Sequence, residues 1–463
     1  MWIVVGLVLG IGIAQLGTVF TPVFGVMDLF WRAAQVAPFV LGFQRDIVVL
    51  VLIQDSGELR PTGGFIGNYG IVRLQSGRVE ERRIGDTYLL DYEYFKTGQA
   101  SRPVAMFHRY FPESTFWALR DSNIWPDFPT SARRAARFAI EEGATDQVDA
   151  VVAITPELAR RVMRAIGPLK VDGFSQVITY ENFEDWIRYY QMTIEGQHEM
   201  SRRFGGEEAT SRKAFTMLLG QAVIDRVTAI DPNRLLAVMG ALREAILAKD
   251  VQVYFEDQET QSVVSGFGLD GAMKSASGDY FWVVDMNVGA TKDNLYVEQD
   301  VEYTADFSSD IPIAHLKITY NYLKTGERFL GLIQRPHYGD YLRVYAPIDS
   351  EFIDSTGLDA PVLTSIEGDK TVLESYMALL PGTVRTVTMT YRLSPLVVEQ
   401  MNQGQYSLIA QRQAGSRMSL VRVNVIPPPT LSMVNGGSFV NFGRYISYRG
   451  TEYADLDLKA NFH

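Results

Sequence analysis

Ile47 to Ile53 is an unbroken aliphatic run inside the segment DIVVLVLIQD (Asp46 to Asp55). It is too short for a helix and rich in β-branched residues, so it reads as a buried strand. The next segment, ELRPTGGFIGNY (Glu58 to Tyr69), sets Glu58, Arg60 and Pro61 together and then uses Gly63, Gly64 and Gly67. Glycine is required where φ is positive or where a neighbour comes too close for a Cβ. In an α/β sheet, ligands bind beyond the carboxyl ends of strands, and this loop leaves such an end. Two arrangements fit. Either Arg60 and the amides of Gly63 and Gly64 face a cleft shared with the Arg120 to Asp127 loop, or Glu58 and Arg60 pair with each other, or with Asp121 or Asp127. In the second case the glycines only allow close crossing of the chain.

The pattern after this loop changes period twice. Strand-like alternation continues to about Leu90, with Ser76-Gly77 as a hairpin signal. Between residues 130 and 170 come TSARRAARFAIEEG, with a Thr130 or Ser131 cap and a stop at Gly143, then DAVVAIT as a strand. PELARRVMRAIGP follows as a helix opened by Pro156. This alternation implies an α/β layer domain. Residues 180–249 read as helical, most clearly DPNRLLAVMGALREAILAKD with Asp231 as cap. HLKITYNY, VTMTYRL and LVRVNVI then alternate apolar and polar residues, which predicts an antiparallel β-sandwich. The expected divisions are 45–250 for the α/β domain with its helical extension, 251–289 for a linking segment, 290–430 for the sandwich and 431–463 for a polar, aromatic, Gly-rich tail.

Met1 to Phe20 carries no charge, and the first ionisable side chain is Asp28. Twenty helical residues rise about 30 Å, the thickness of a bilayer's hydrocarbon core. No Lys or Arg precedes Arg32 and no Ala-x-Ala site follows, which favours a retained transmembrane helix over 1–20 rather than a signal peptide. Residues 21–44 then read as a juxtamembrane connector. The expected fold class is α+β and multidomain: transmembrane helix, α/β domain, sandwich. The expected localisation is single-pass in the plasma membrane, with the bulk of the chain extracytoplasmic.

Composition removes several function classes. A net charge of −11 gives no basic face for nucleic acid. The absence of cysteine rules out disulfides and thiolate metal sites. The histidines are scattered, with no His-x-x-x-His pair, so no metal site is expected. GFGLDG (Gly266 to Gly271) fits the dinucleotide fingerprint in letters only, because no amphipathic helix follows it. Neither a G-x-S-x-G elbow nor a Walker loop occurs.

LRDSNIWPDFPTSARRAARF (Leu119 to Phe138) holds Asp121, Asn123 and Asp127 in one loop, residues suited both to a hard cation and to ordinary turns and caps. Arg133, Arg134 and Arg137 follow in a helix's first turns, which suits an anion site or a solvated basic face. The carboxylates Asp86 and Asp91, and Glu141 and Glu142, have no spacing that singles out acid–base work and read as surface.

The segments ELRPTGGFIGNYG, LRDSNIWPDFPTSA, VDAVVAITPELARRVMRAIGPLKV, DYFWVVDMNVGATKDN and YLRVYAP resemble, in this order, a bacterial family of unknown function, domain of unknown function 4012. The resemblance covers about residues 40 to 430 and implies a membrane-anchored envelope protein with no established activity. RRIGDTYLL (Arg82 to Leu90) and the 130–170 alternation are also similar, more distantly, to the LytR-CpsA-Psr phosphotransferases that attach glycopolymers to the cell wall. That likeness implies a three-layer α/β fold in which Arg83, Asp86 and the Arg133 to Arg137 cluster face a pyrophosphate. The chain departs from those enzymes twice. Gly85 stands where they have an arginine before the aspartate, and GGFIGNYG supplies no second acidic residue. A phosphoryl-transfer site depends on positioned cations, so these departures favour binding over catalysis.

The resulting expectation is a non-enzymatic envelope scaffold that binds an anionic ligand or glycopolymer, held to the membrane by its N-terminal helix and meeting wall glycopolymer or envelope proteins. The ligand-binding candidates are Arg60, Gly63, Gly64, Arg83, Asp86, Arg120, Asp121, Asn123, Asp127, Arg133 and Arg137, with no cofactor. The alternatives are a phosphotransferase, which would call for Mg²⁺, and a surface-layer or adhesion component.

Overall fold

A computed structural model describes residues 23–111, 114–205, 214–229, 231–323, 338–451 and 454–463. Ile47–Asp55 is the central strand of a five-stranded sheet, ordered Arg78–Asp86, Phe65–Gln75, Ile47–Asp55, Ala150–Ile154, Val251–Phe255. It runs parallel to Ala150–Ile154, and the other neighbours are antiparallel. The aliphatic run has no polar face because both sides of this strand are covered. Val48, Leu50 and Leu52 pack with Phe128, Ala132, Ala135 and Phe138 of the helix Phe128–Glu141. On the other side, Val49 joins Ala150, Val251 and Phe255 against the helices Val23–Val40 and Gln258–Gly266. The result is a helix–sheet–helix layering.

Local signals explain most element ends. Ser76 and Gly77 take φ of 48° and 78°, the primed turn that matches strand twist. Asp127, not Thr130 or Ser131, caps Phe128–Glu141: its carboxylate accepts from the Thr130 amide at 3.1 Å and from the Thr130 hydroxyl. Pro156 opens Pro156–Ile166, and Asp231 caps Pro232–Leu247. Beyond Pro156 a helical subdomain closes around Met163, Phe174, Phe183, Tyr190 and Phe215. GFGLDG is the end of the Gln258–Gly266 helix and a loop; its Leu269 carbonyl accepts from the Val253 amide.

The second half of the chain forms two seven-stranded sheets facing one another. Their shared core contains Tyr303, Leu316, Ile318, Leu342, Val344, Leu373, Val387, Val423 and Leu458. The sandwich is not purely antiparallel. Asp279–Val284 runs parallel to Gln405–Gln411, and Val297–Asp306 runs parallel to Met418–Ile426. Residues 251–289 supply a strand to the first sheet and Asp279–Val284 to the sandwich. Residues 431–463 supply Met433–Asn435, Val440–Asn441, Ile446–Gly450 and Leu456–Phe462, which extend both sheets.

The strand Tyr338–Pro347 is buried along its whole length. One face enters the sandwich core through Leu342 and Val344, and the other carries Tyr341 into the core of the α/β domain. Tyr110 of the α/β domain stacks on Tyr341 with centroids 4.7 Å apart. The two halves therefore share packed apolar surface.

The expected fold class is corrected to a mixed α/β architecture of several sheets whose strands start at Ile47. The transmembrane helix expected over residues 1–20 lies outside the described residues. Among the described residues no helix is long and apolar enough to cross a membrane. The Val23–Val40 helix, at the place of the expected juxtamembrane connector, buries Ala33 and Val36 against the first sheet and carries Asp28 and Arg32. The single-pass localisation, which needed such a span, is corrected with it.

Leu456–Phe462 pairs with Gln405–Gln411 and buries Leu458, Ala460 and Phe462. A chain ending at residue 430 should therefore unfold at clearly lower urea concentration than the full chain, or fail to fold. An unchanged midpoint would show that these strands are dispensable.

Candidate functional site

The loop after the central strand is buried without interruption from Gly57 to Ile66. Arg60 is 1% exposed. Its guanidinium donates to the Asn287 carbonyl at 2.9 Å and to Glu58 Oε1 at 3.0 Å, and Asp121 Oδ1 lies 3.7 Å away. The rings of Phe65, Phe107 and Phe111 surround it at 5.7–5.8 Å. Burial pushes the Glu58 carboxyl up, against the opposing pull of Arg60.

The main chain of this loop is bound just as fully. The Leu59 amide donates to Asn294 Oδ1 at 3.1 Å, and the Leu59 carbonyl accepts from the Asn287 amide at 2.9 Å. Gln413 Nε2 reaches the Arg60 carbonyl and Gln252 Nε2 the Thr62 carbonyl. Asn123 Nδ2 bridges Thr62 Oγ1 at 3.0 Å and the Gly64 carbonyl at 2.9 Å. From the sandwich, the fully buried Arg343 donates to the Ile124 carbonyl at 2.6 Å.

Close approach dictates both glycines. Gly63 and Gly64 have φ of 132° and 158°. A Cβ on Gly64 would stand 2.3 Å from the Asp55 carbonyl, and one on Gly63 would stand 3.1 Å from Thr155 Cγ2. A Cβ on Gly415, in the sandwich, would stand 2.1 Å from the Gly63 carbonyl oxygen. A cavity of about 10 Å³, lined by Leu59, Asp285, Asn294, Tyr320 and Tyr338 among others, remains between loop and sandwich. It is at the lower limit for one water molecule. The crevice beyond the strand ends is filled by the protein's own second half.

The other candidates do not gather here. Arg120 lies between Asp91 and Asp121, at 3.5 and 3.4 Å, and over the Phe116 and Tyr88 rings. Asp86 caps the helix Thr87–Lys96 through the Tyr88 amide, and Asp127 caps its own helix while accepting from the Met273 amide. Arg83, on an edge strand, donates to the Ala144 carbonyl. Arg133 lies over the Tyr254 ring on the opposite edge strand, and Arg137 is exposed. Four strand spacings separate the two edges, roughly 19 Å. So Arg60, Arg120, Asp121 and Asn123 meet in one network with Gly63 and Gly64, whereas Arg83, Asp86, Asp127, Arg133 and Arg137 serve other places.

Asp91, expected at the surface, is instead fully buried. The helix Thr87–Lys96 turns Thr87, Asp91 and Tyr94 inward and leaves Tyr88, Leu89, Tyr92 and Phe95 exposed. That reverses what its letters suggest. Asp91 faces Glu142, whose Oε1 accepts from the Leu119 amide at 2.8 Å. Burial pushes Asp91 up to about 7. Burial, and next the Asp91 charge, push Glu142 up as well, which favours a proton shared by this pair.

A second candidate lies on the open face of the sandwich, in the stretch read as a polar tail. A groove of about 630 Å³ is lined by residues of Val297–Asp306, Met418–Ile426, Ile446–Gly450 and the turn after Val440. Asn424 Nδ2 donates to Glu302 Oε1 at 3.3 Å and Thr304 Oγ1 at 3.2 Å, and Asn424 Oδ1 accepts from the Ser447 hydroxyl at 2.8 Å. Arg422 reaches Glu302 at 3.4 Å. Phe442 and Tyr445 stack with centroids 5.2 Å apart and stand 57% and 38% exposed. The sequence signal was the aromatic density of NFGRYISYRG within polar surroundings.

Residues 46–191 match the model of a family described as a protein of unknown function, DUF4012. The match agrees with the resemblance that the motifs carry. No curated protein matches. Among solved structures, B. subtilis TagV aligns at 11% identity over 49% of this chain and 81% of its own, with a TM-score of 0.27. The Lin1025 protein from Listeria innocua aligns at 11% over 49% of this chain and 78% of its own, also with a TM-score of 0.27. A putative nutrient binding protein from Legionella pneumophila aligns at 9% over 40% and 71%, with a TM-score of 0.24. Similarity this low carries no argument about fold or activity.

Arg60→Ala would leave Glu58 and Asp121 buried beside an empty space and should cost about 3–5 kcal/mol of stability, read by urea unfolding. Gly64→Ala should cost about 3 kcal/mol or more through clash and strain. A second expectation concerns pH. Asp91 and Glu142 have folded values above unfolded ones, so their contribution to stability is fully present below about pH 4 and is lost as pH rises, through about 7 for Asp91 and about 10 for Glu142. The stability of the wild type relative to an Asp91→Asn/Glu142→Gln double variant should fall between about pH 5 and pH 8. Parallel pH curves would refute the shared proton.

Proposed function

We propose that this protein is a non-enzymatic binding component of the bacterial cell envelope, in which the α/β domain is a rigid support rather than a transfer site. One observation carries the reading. Arg60, the cation placed at the carboxyl end of the central strand, is spent on Glu58, Asp121 and the Asn287 carbonyl beneath the sandwich. A phosphoryl-transfer site needs cations and a metal facing an open space where substrate can enter. Gly85 adds to this, since it stands where the similar transferases have an arginine, and a Cβ there would stand 2.4 Å from the Tyr69 ring. Arg83 and Arg133, the remaining cations of that comparison, lie on opposite sheet edges. The family-model match over residues 46–191 supports the envelope setting through the resemblance of the motifs.

The competing reading is a phosphotransferase with a rearranged site. The full chain, incubated with a polyprenyl-pyrophosphate-linked oligosaccharide and Mg²⁺, should release no polyprenyl phosphate above the protein-free rate. Its melting temperature should move no further than with Mg²⁺ alone. Turnover that disappears in Asp86→Ala would overturn the binding reading.

A further inference from the structure

We infer that the groove on the open sandwich face is a binding site for a saccharide chain, with Phe442 and Tyr445 as the stacking platform and Glu302, Arg422, Asn424 and Arg449 as the hydroxyl-reading groups. This deepens the binding reading above, on which it rests, by naming a site and a ligand class.

The lining chemistry decides among ligand classes. The groove's volume of about 630 Å³ falls in the usual range for ligand sites, but apolar small molecules favour enclosed apolar walls, and this floor is a ladder of polar side chains. A simple anion is disfavoured because Glu302 sits in the floor and engages Arg422. A peptide added as a strand would need unpaired main-chain groups. Here the floor is the face of Val297–Asp306, Met418–Ile426 and Ile446–Gly450, whose main chains are paired with one another. Nucleic acid is opposed by the net charge of −11.

Sugars fit what remains. Each hydroxyl both donates and accepts. The floor offers an acceptor-only carboxylate (Glu302), donor-only guanidinia (Arg422, Arg449) and a side chain that does both (Asn424). The apolar C–H face of a pyranose ring complements an exposed aromatic plane. Phe442 and Tyr445 leave such surface in water at 57% and 38% exposure, held by a turn in which the Phe442 amide donates to the Tyr445 carbonyl at 2.9 Å.

The test uses the full chain on an array of neutral, amino-sugar and uronic-acid oligosaccharides, followed by titration calorimetry with the strongest array saccharide. The expected result is binding that weakens by about tenfold or more, roughly 1.4 kcal/mol, in Phe442→Ala/Tyr445→Ala and in Arg449→Ala. The urea midpoint should stay at the wild-type value, and Trp31→Ala, an exposed aromatic elsewhere, should bind normally. Binding to no oligosaccharide on the array overturns the proposal, as does capture of a peptide at the same residues. Saccharide binding that survives both groove variants overturns the site while leaving the binding reading in place. Polyprenyl phosphate release in the transfer assay overturns that reading itself.

Discussion

A guanidinium out of reach of water has to be neutralised where it lies, and the placement of Arg60 organises the surrounding structure. An isolated buried charge is very costly, and removing one partner of a buried pair leaves the other stranded. Arg60 draws its partners from separate parts of the chain: Glu58 from its own loop, Asp121 from the loop before the Phe128–Glu141 helix, and a carbonyl from Asn287 in the sandwich. Satisfying that one cation fixes three segments relative to one another. Arg343 repeats the arrangement from the other side, anchored by Tyr345 and reaching the Ile124 carbonyl. The segments that carry the family resemblance are the ones that meet here, so the motifs describe a joint between domains.

In the proposed function, this joint separates support from recognition. Loops beyond the strand ends of an α/β sheet are where ligands commonly bind, but here the sandwich occupies that place with Gln413, Ala414 and Gly415. Surface free to meet another molecule is found on the far side of the sandwich, where strands added late in the chain bring aromatic and charged side chains together above a polar sheet face.

Much of the first sheet was legible because its signals are local. The aliphatic strand, the Ser76-Gly77 turn, and the Pro156 and Asp231-Pro232 helix starts each act within a few residues. The cap of the Phe128–Glu141 helix was displaced by three residues because Asp127, Thr130 and Ser131 are all competent caps, and Thr130 in fact donates to Asp127. Asp279–Val284 was hidden by its environment: with both faces buried it shows no alternation. The parallel pairings of the sandwich depend on distant partners that no local pattern encodes. The buried Asp91 defeated the reading for another reason, since its helix exposes aromatics and buries a carboxylate that only Arg120 and Glu142, brought by the fold, can accommodate. At the Arg60 loop the residue types were read correctly, and the choice between a cleft and an internal pairing depended on knowing what lies opposite.

The long reach between partners bears on how the protein comes into being. Arg60 is translated early, yet its carbonyl waits for Gln413, 353 residues later, and Gln405–Gln411 in turn waits for Leu456–Phe462. Domains tend to fold as units while the chain emerges from the ribosome, but here the Arg60 carbonyl at the mouth of the first sheet lacks its Gln413 donor until the distal strands arrive. A chain that stops short of Leu456–Phe462 leaves that edge of Gln405–Gln411 without its partner strand, and unpaired strand edges are prone to aggregation.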